Sequence, residues 1–182
     1  MTLAVLLLAC LPVLQACTAA TYGATSVAKD GDRLVVILRQ CARESDDITL
    51  DEVDKDGNYL RTVGHWKPRA PIEATRTVTF PLDVDPNPDN WNTIKSFAGV
   101  KMEPGHFYSF WSSGPNNNGN APGSTMAFSA SDVERMKPGT VLDDKYTYGE
   151  KNEADIITVV VKPLPKWTKD VDALCDGNGW FS

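Results

Sequence analysis

The feature that most constrains the fold of this chain is a short-range pattern in which apolar residues occupy every second position. Such alternation places one face of a β-strand against a core and the other face towards solvent. Gly, Pro, Asn and Asp separate the alternating segments, as is typical of turns. No long segment has helical spacing, so we expect an all-β fold. The predicted strands are residues 33–41, 48–53, 59–63, 76–82, 106–111 and 156–162.

Three of these segments predict more than a strand. Residues 33–41 have a continuous apolar centre, which is typical of a strand buried on both faces. Asp56 and Gly57 lie between residues 48–53 and 59–63, where they supply the turn of a β-hairpin. About seven strands joined by short turns favour an antiparallel β-sandwich over alternating β-α units.

A motif before one strand adds a resemblance to a known fold. Residues 102–108 read Met-Glu-Pro-Gly-His-Phe-Tyr, which resembles the apolar-x-Pro-Gly-x-x-Tyr stretch of fibronectin type III and related immunoglobulin-like domains. The resemblance implies an immunoglobulin-like sandwich in which Tyr108 forms a tyrosine corner. In such a corner the hydroxyl group bonds back to the backbone a few residues upstream.

One short crossover helix is expected within the sheet-forming region, at residues 131–136. Ser131 and Glu134 have the spacing of a capping box, and Val133 and Met136 share one helix face. The Pro-Gly pair at residues 138–139 then ends the helix.

The N-terminal region predicts export. Residues 1–16 are uncharged and contain an apolar run of about a dozen residues, which is too short to span a membrane but suits a signal peptide. Residues 17–30 are mostly small and polar, so we expect a flexible tether there. Residues 31–182 remain for a single sandwich domain with a disulfide-tied C-terminal tail.

The end of this leader resembles a lipobox. Leu14-Gln15-Ala16-Cys17 is similar to the motif of bacterial lipoproteins, in which the cysteine is acylated and becomes the first residue of the mature chain. The resemblance implies that Cys17 attaches the protein, through acyl chains such as palmitate, to the outer side of the cell membrane. Cys10 is a rival attachment site, and secretion after cleavage near Ala20 is an alternative without a lipid anchor.

Two cysteines remain after the leader, Cys41 and Cys175. An even number of cysteines in an exported protein indicates a disulfide, which would join the first predicted strand to the C-terminal tail. Two free buried thiols are the alternative. No metal or other cofactor is expected, because only His65 and His106 are available and no Cys-x-x-Cys spacing occurs.

Charge and motifs exclude several function classes. The formal net charge is −6 and all charged residues follow position 28, which argues against nucleic-acid binding. An acidic run at residues 51–58 fails as an EF-hand, because Val63 falls where the loop needs a bidentate Glu. No hydrolase, phosphate-loop or metalloprotease motif occurs. We therefore expect a non-catalytic protein; an exported hydrolase with an unrecognised carboxylate or His site is the alternative.

Aromatic residues are the best candidates for recognition. Strand alternation places Phe107 and Trp111 on one face and Tyr108 and Phe110 on the other, core-facing side. Phe107 and Trp111 are then either exposed to a ligand or covered by the tail at residues 167–181.

A second candidate is the basic and aromatic cluster of His65, Trp66, Lys67 and Arg69. This cluster suits an acidic or sugar ligand; alternatively, it is a loop with Trp66 packed inward. The resulting hypothesis is a lipid-anchored envelope module that binds or assembles with an envelope protein or a glycan. A secreted structural envelope protein without a lipid is a further alternative.

Overall fold

The computed structural model describes residues 23–41, 45–73, 76–113, 127–147 and 156–176, so Cys10, Cys17 and the rest of the predicted leader lie outside it. Within these ranges the chain forms ten β-strands and two α-helices. The strands are β1 (Gly23–Asp30), β2 (Arg33–Gln40), β3 (Asp47–Val53), β4 (Tyr59–Pro68), β5 (Thr77–Pro81), β6 (Trp91–Lys95), β7 (Phe107–Ser113), β8 (Phe128–Ser129), β9 (Thr140–Thr147) and β10 (Ile156–Pro163). The helices are α1 (Ala130–Glu134) and α2 (Leu164–Cys175).

The strands form two five-stranded sheets that pack as a sandwich. The first sheet has the order β10-β9-β1-β2-β5 and the second the order β6-β4-β3-β7-β8, and every described strand pairing is antiparallel. The prediction of an all-β antiparallel sandwich is therefore confirmed. The sandwich has more strands than the seven expected. Strands β1, β6, β8 and β9 were not predicted, because they are short or rich in small and polar residues and do not alternate clearly.

Aromatic side chains fill much of the core between the sheets. Phe80 lies between Trp66 and Trp91, with ring centroids 5.2 and 4.8 Å away. Phe128 stacks on Phe110 at 6.0 Å. Both sets of rings are buried between the sheets. Burial of apolar surface is the main source of stability for a fold of this kind.

Strand β2 is covered on both faces, as its apolar centre predicts. Val36 and Leu38 point into the core between the sheets, whereas Ile37 belongs to a second apolar cluster on the other side of the first sheet. Helix α2 covers that side with the buried side chains of Trp167 and Val171.

A disulfide bond and two ion pairs fasten α2 to the first sheet. Cys41 and Cys175 are joined across a Cα–Cα distance of 4.8 Å, so the predicted disulfide is confirmed. Arg39 pairs with Asp172 at 2.7 Å, and Lys162 donates to Asp170 at 2.7 Å. The expectation that no long segment has helical spacing is wrong here, because Leu164 and, within the predicted tail, Trp167, Val171 and Cys175 lie on one face of this 12-residue helix.

The predicted tether is wrong from residue 23 onwards. Residues 23–30 form β1, which pairs with β2 along its whole length, and its central residues are buried. Small side chains here suit an interior strand with little room on either face. At Gly23, a Cβ atom would lie 2.3 Å from the carbonyl oxygen of Arg39. The sandwich domain therefore begins by Gly23, and only residues 17–22 of the predicted tether lie outside the described chain.

Helix α1 lies close to its predicted position but is capped differently. The capping box is formed by Ser129 and Asp132, two residues before the predicted pair of Ser131 and Glu134. Met136, which follows the helix, is buried in the core as its predicted apolar role requires.

Two further local predictions are confirmed. The Tyr108 hydroxyl accepts a hydrogen bond from the Glu103 backbone N–H at 3.1 Å, which is the contact of a tyrosine corner. Gly57 adopts φ +83° in the β3–β4 turn, where the Asp54 carboxylate accepts from the backbone N–H groups of Asp56 and Asn58. This use of Asp54 fits a hairpin turn.

Candidate binding face

Members of the two clusters that the sequence treats as separate candidates share one face of the second sheet. We call the side of this sheet that points away from the first sheet the outer face. Thr49 on β3 pairs with His65 on β4 and with Trp111 on β7, and His65 pairs with Lys95 on β6. Neighbouring strands lie about 4.8 Å apart, so these four residues form a row about 14 Å long.

Side-chain alternation separates this row from the core. Tyr108 and Phe110 point inward and are buried, as predicted, whereas Trp111 is 36% exposed and Phe107 is half-buried. The tail at residues 167–181 is one predicted cover for Phe107 and Trp111. Helix α2, which forms most of that tail, does not cover them, because it packs on the outer side of the first sheet. Residues 177–181 of that tail lie outside the described residues. Trp111 therefore provides the outer face with an exposed aromatic ring.

Trp66 is not available to a ligand. It is 1% exposed and belongs to the core, because β4 continues through residues 64–68 and turns this side chain inward. Its assignment as a candidate ligand-binding residue is corrected. The alternative reading that Trp66 packs inward is right, but the segment is a strand and not a loop.

The three basic members of the predicted cluster have different positions. The His65 Nε2 atom lies 2.8 Å from Oδ1 of Asp47, and both side chains are half-buried on the outer face. Lys67 shares this face and lies 4.0 Å from Asp46. Arg69 follows the end of β4 and donates from Nε to the Pro88 carbonyl at 2.6 Å, so it is not part of the row.

Asp51 lies at the centre of the outer face. It pairs with Ser109 on β7, the residue midway between Phe107 and Trp111. Its side chain is 7% exposed, and its Oδ1 atom has no hydrogen-bond partner. Burial raises the pKa of this carboxyl group, although hydrogen bonds from Thr62 and Thr49 and the proximity of His65 act in the opposite direction.

The next residue, Glu52, is equally buried but fully satisfied. Its Oε2 accepts from Arg61 Nε at 2.7 Å, and its Oε1 lies 2.6 Å from His106 Nδ1. Burial opposes ionisation of Glu52, but these hydrogen bonds and charges outweigh it and hold its pKa below the usual value. Glu52 thus forms a structural ion pair with Arg61, unlike Asp51.

Sequence reasoning missed the central residues of this face, Thr49 and Asp51. The alternation of residues 48–53 assigns both to the polar side of a strand, which was the available signal. The sequence alone places Asp51 in an acidic run before a hairpin turn. Its position beside Trp111 follows only from the pairing of β3 with β7, two strands more than fifty residues apart.

Two kinds of feature are absent from the part of the chain that the structure describes. Among the described residues, no group of three or more His, Cys, Asp or Glu side chains is arranged to hold a metal ion. No described helix has the length and apolar character needed to cross a membrane. The expectation of a non-catalytic protein stays a prediction.

Comparison with protein-family models finds no matching family, and comparisons with curated proteins and with solved structures find no significant match. The assignment of a role to the outer face therefore depends on its own chemistry.

Proposed function

We propose that this protein is an exported envelope lipoprotein, anchored through Cys17, that acts as a non-catalytic binding module through its outer face. The observation that carries the proposal is the exposed Trp111 ring in a row with the polar side chains of Thr49 and His65. Exposed aromatic rings beside hydrogen-bonding groups are typical of surfaces that recognise sugars and proteins. The partner is then a glycan or a protein of the cell envelope.

The disulfide supports the exported location. Cys41 and Cys175 are bonded, and such bonds persist mainly in oxidising compartments outside the cytoplasm. The position of β1 adds a consequence for the anchor. Six residue steps separate Cys17 from Gly23, which reach about 20 Å at most, so an acylated Cys17 holds the sandwich close to the membrane surface.

Replacing Cys17 by Ala is expected to abolish acylation and to release the protein from the membrane fraction, because Cys17 would be the residue that carries the acyl chains. The measurement is incorporation of labelled fatty acid, followed by membrane fractionation of the producing cells. Cys10→Ala is the matched control and should keep both label and membrane association. Undiminished labelling of the Cys17→Ala variant would contradict the anchor.

Replacing Trp111 by Ala is expected to weaken binding to envelope material at least tenfold, because the variant loses the exposed ring of the outer face. Binding is measured separately with isolated envelope glycan and with solubilised envelope proteins. Ile157→Ala is the control, since Ile157 is 45% exposed but lies on β10 in the other sheet.

Both variants should unfold at nearly the same denaturant concentration as the wild type, since exposed substitutions change stability little. If Trp111→Ala and the wild type capture the same envelope components equally well, the outer face is not the binding surface.

A further inference from the structure

Strand β10 forms an edge of the first sheet. It has eight residues and pairs with β9 along its whole length without a register shift. Within the described part of the chain no strand pairs with its other side, so its outward backbone N–H and C=O groups can pair with a further strand. Six consecutive β-branched residues, 156–161, give this edge a strong preference for β-structure.

The other edge strands carry features that oppose such pairing. Strands β5 and β6 have five residues each, and β8 has two. Strand β5 ends at Pro81, which has no backbone N–H to donate, and a register shift beside Trp66 interrupts the pairing of β6. Short strands, prolines and bulges are means by which proteins protect free sheet edges. In β10 the one proline is the last residue, and the one charge is that of Lys162.

The side of β10 that faces the second sheet is apolar and incompletely covered. Val161 lies opposite Leu142 of the core, and alternation places Val159 and Ile157 on the same side. Val159 and Val161 are half-buried against the core, whereas Ile157 is 45% exposed. A further strand beside β10 would remove apolar surface of these side chains from water, which favours pairing.

This edge is complementary to a second copy of itself. Residues that lie opposite each other in an antiparallel pair point to the same side, so an apolar side can be matched with an apolar side. Placing Val159 opposite Val159 of a second copy also sets Ile157 opposite Val161. All three apolar residues of this side are then paired across the contact.

The single charge of the strand does not oppose this arrangement. Lys162 already forms ion pairs with Asp143 and Asp170 of its own chain. In the register centred on Val159, the two copies of Lys162 lie six residue steps apart, which is about 20 Å. Salt screens repulsion over such a distance.

We infer that the protein forms a two-fold dimer in which β10 pairs antiparallel with β10 of a second copy, joining the two first sheets into one sheet of ten strands. The two-fold axis is perpendicular to the joined sheet, so both second sheets lie on the same side of it. Their outer faces stay uncovered and point the same way. One strand from each copy is a small contact beside the about 800 Å² per partner of a standard interface. The dimer is therefore weak and needs a high local concentration, such as that of copies anchored on one membrane.

Sedimentation equilibrium of the purified exported protein, in detergent of matched density, measures the dimer. The average mass should rise from that of one chain towards that of two as the protein concentration is raised. Thr158→Lys should weaken the dimer at least tenfold, because it places charges of the two copies diagonally across the contact. Thr79→Lys is the matched control and should keep wild-type dimerisation. Thr79 is an exposed threonine on the same side of this sheet, but on the opposite edge strand β5.

A cysteine at the centre of the contact gives an independent measurement. Val159→Cys should form an interchain disulfide under mild oxidation, because opposite residues in an antiparallel pair have Cα atoms about 4.5–5.5 Å apart, within the range of a disulfide. Val78→Cys is its control, since Val78 is also half-buried against the core on an edge strand, β5. The control should remain a single chain on a non-reducing gel.

The outcomes decide between β10 pairing and its alternatives. A single-chain mass at every concentration, or no more crosslinking of Val159→Cys than of Val78→Cys, overturns the inference even if Thr158→Lys does not fold. A dimer that persists in folded Thr158→Lys overturns it as well, and so does a mass that rises only when envelope proteins are added, since β10 would then pair with a different chain. The proposed function is independent of these outcomes, because Trp111 lies on the other sheet and its capture of envelope material is measured separately.

Discussion

Replacing both Cys41 and Cys175 by Ala is expected to lower the free energy of unfolding by about 5 kcal/mol. The two cysteines are 134 residues apart, and closing a loop of that length removes much of the conformational entropy of the unfolded chain; the chain-entropy model gives about 5 kcal/mol. A loss of this size is comparable with the whole stability of a small domain, about 5–15 kcal/mol. Urea denaturation of the oxidised wild type and the double variant measures the difference.

The disulfide also determines whether α2 stays docked. A helix of twelve residues is only marginally stable alone, and α2 is held by the burial of Trp167 and Val171 and by the covalent link. Without the bond, amide hydrogen exchange should become faster in α2 before it does in β2. Faster exchange confined to other elements would contradict the role of the disulfide as the fastening of this helix.

Asp172→Asn is the control for this experiment, because it removes the ion pair with Arg39 from the same helix without touching the disulfide. Both side chains are partly exposed, and such pairs contribute about 0–1 kcal/mol. The control should therefore unfold within about 1 kcal/mol of the wild type. A cysteine variant no less stable than this control would show that the bond adds little to the fold.

Local patterns in the sequence were sufficient to locate the strands with clear alternation. The apolar centre of β2 correctly predicts burial on two faces, and the parity of β7 correctly directs Tyr108 and Phe110 to the core. Composition was misleading for β1, because small and polar residues suit both a flexible segment and a tightly covered interior strand. Its identity as a strand depends on the long pairing with β2, which its own pattern does not encode.

The candidate site was only partly predictable for a similar reason. Sequence patterns place Phe107 and Trp111 on one face and identify His65 as a candidate. They do not reveal that β3 lies between β4 and β7, which brings Thr49 and Asp51 beside these residues. Pairing between strands distant in sequence determines the site, whereas alternation within each strand determines only which side chains can contribute.

Replacing Trp66 by Ala is expected to destabilise the fold by about 3–5 kcal/mol, the range for removal of a large buried aromatic side chain. Trp66 is fully buried and packs against Phe80 and over the backbone of Gly64. Loss of ligand binding by this variant would therefore reflect unfolding and not a lost contact. Trp66→Phe should be much less harmful, because it keeps a ring and removes an indole N–H that has no hydrogen-bond partner.

Gly64 supplies an independent test of this packing. A Cβ atom at residue 64 would lie 2.4 Å from Cη2 of Trp66, so Gly64→Ala is expected to cost about 1–3 kcal/mol through overpacking. Removing the indole makes room for the added methyl group. In a double-mutant cycle followed by urea denaturation, Gly64→Ala should thus be nearly neutral when Trp66 is already Ala. If the losses of the two single variants simply add in the double variant, the indole of Trp66 does not occupy the space above Gly64.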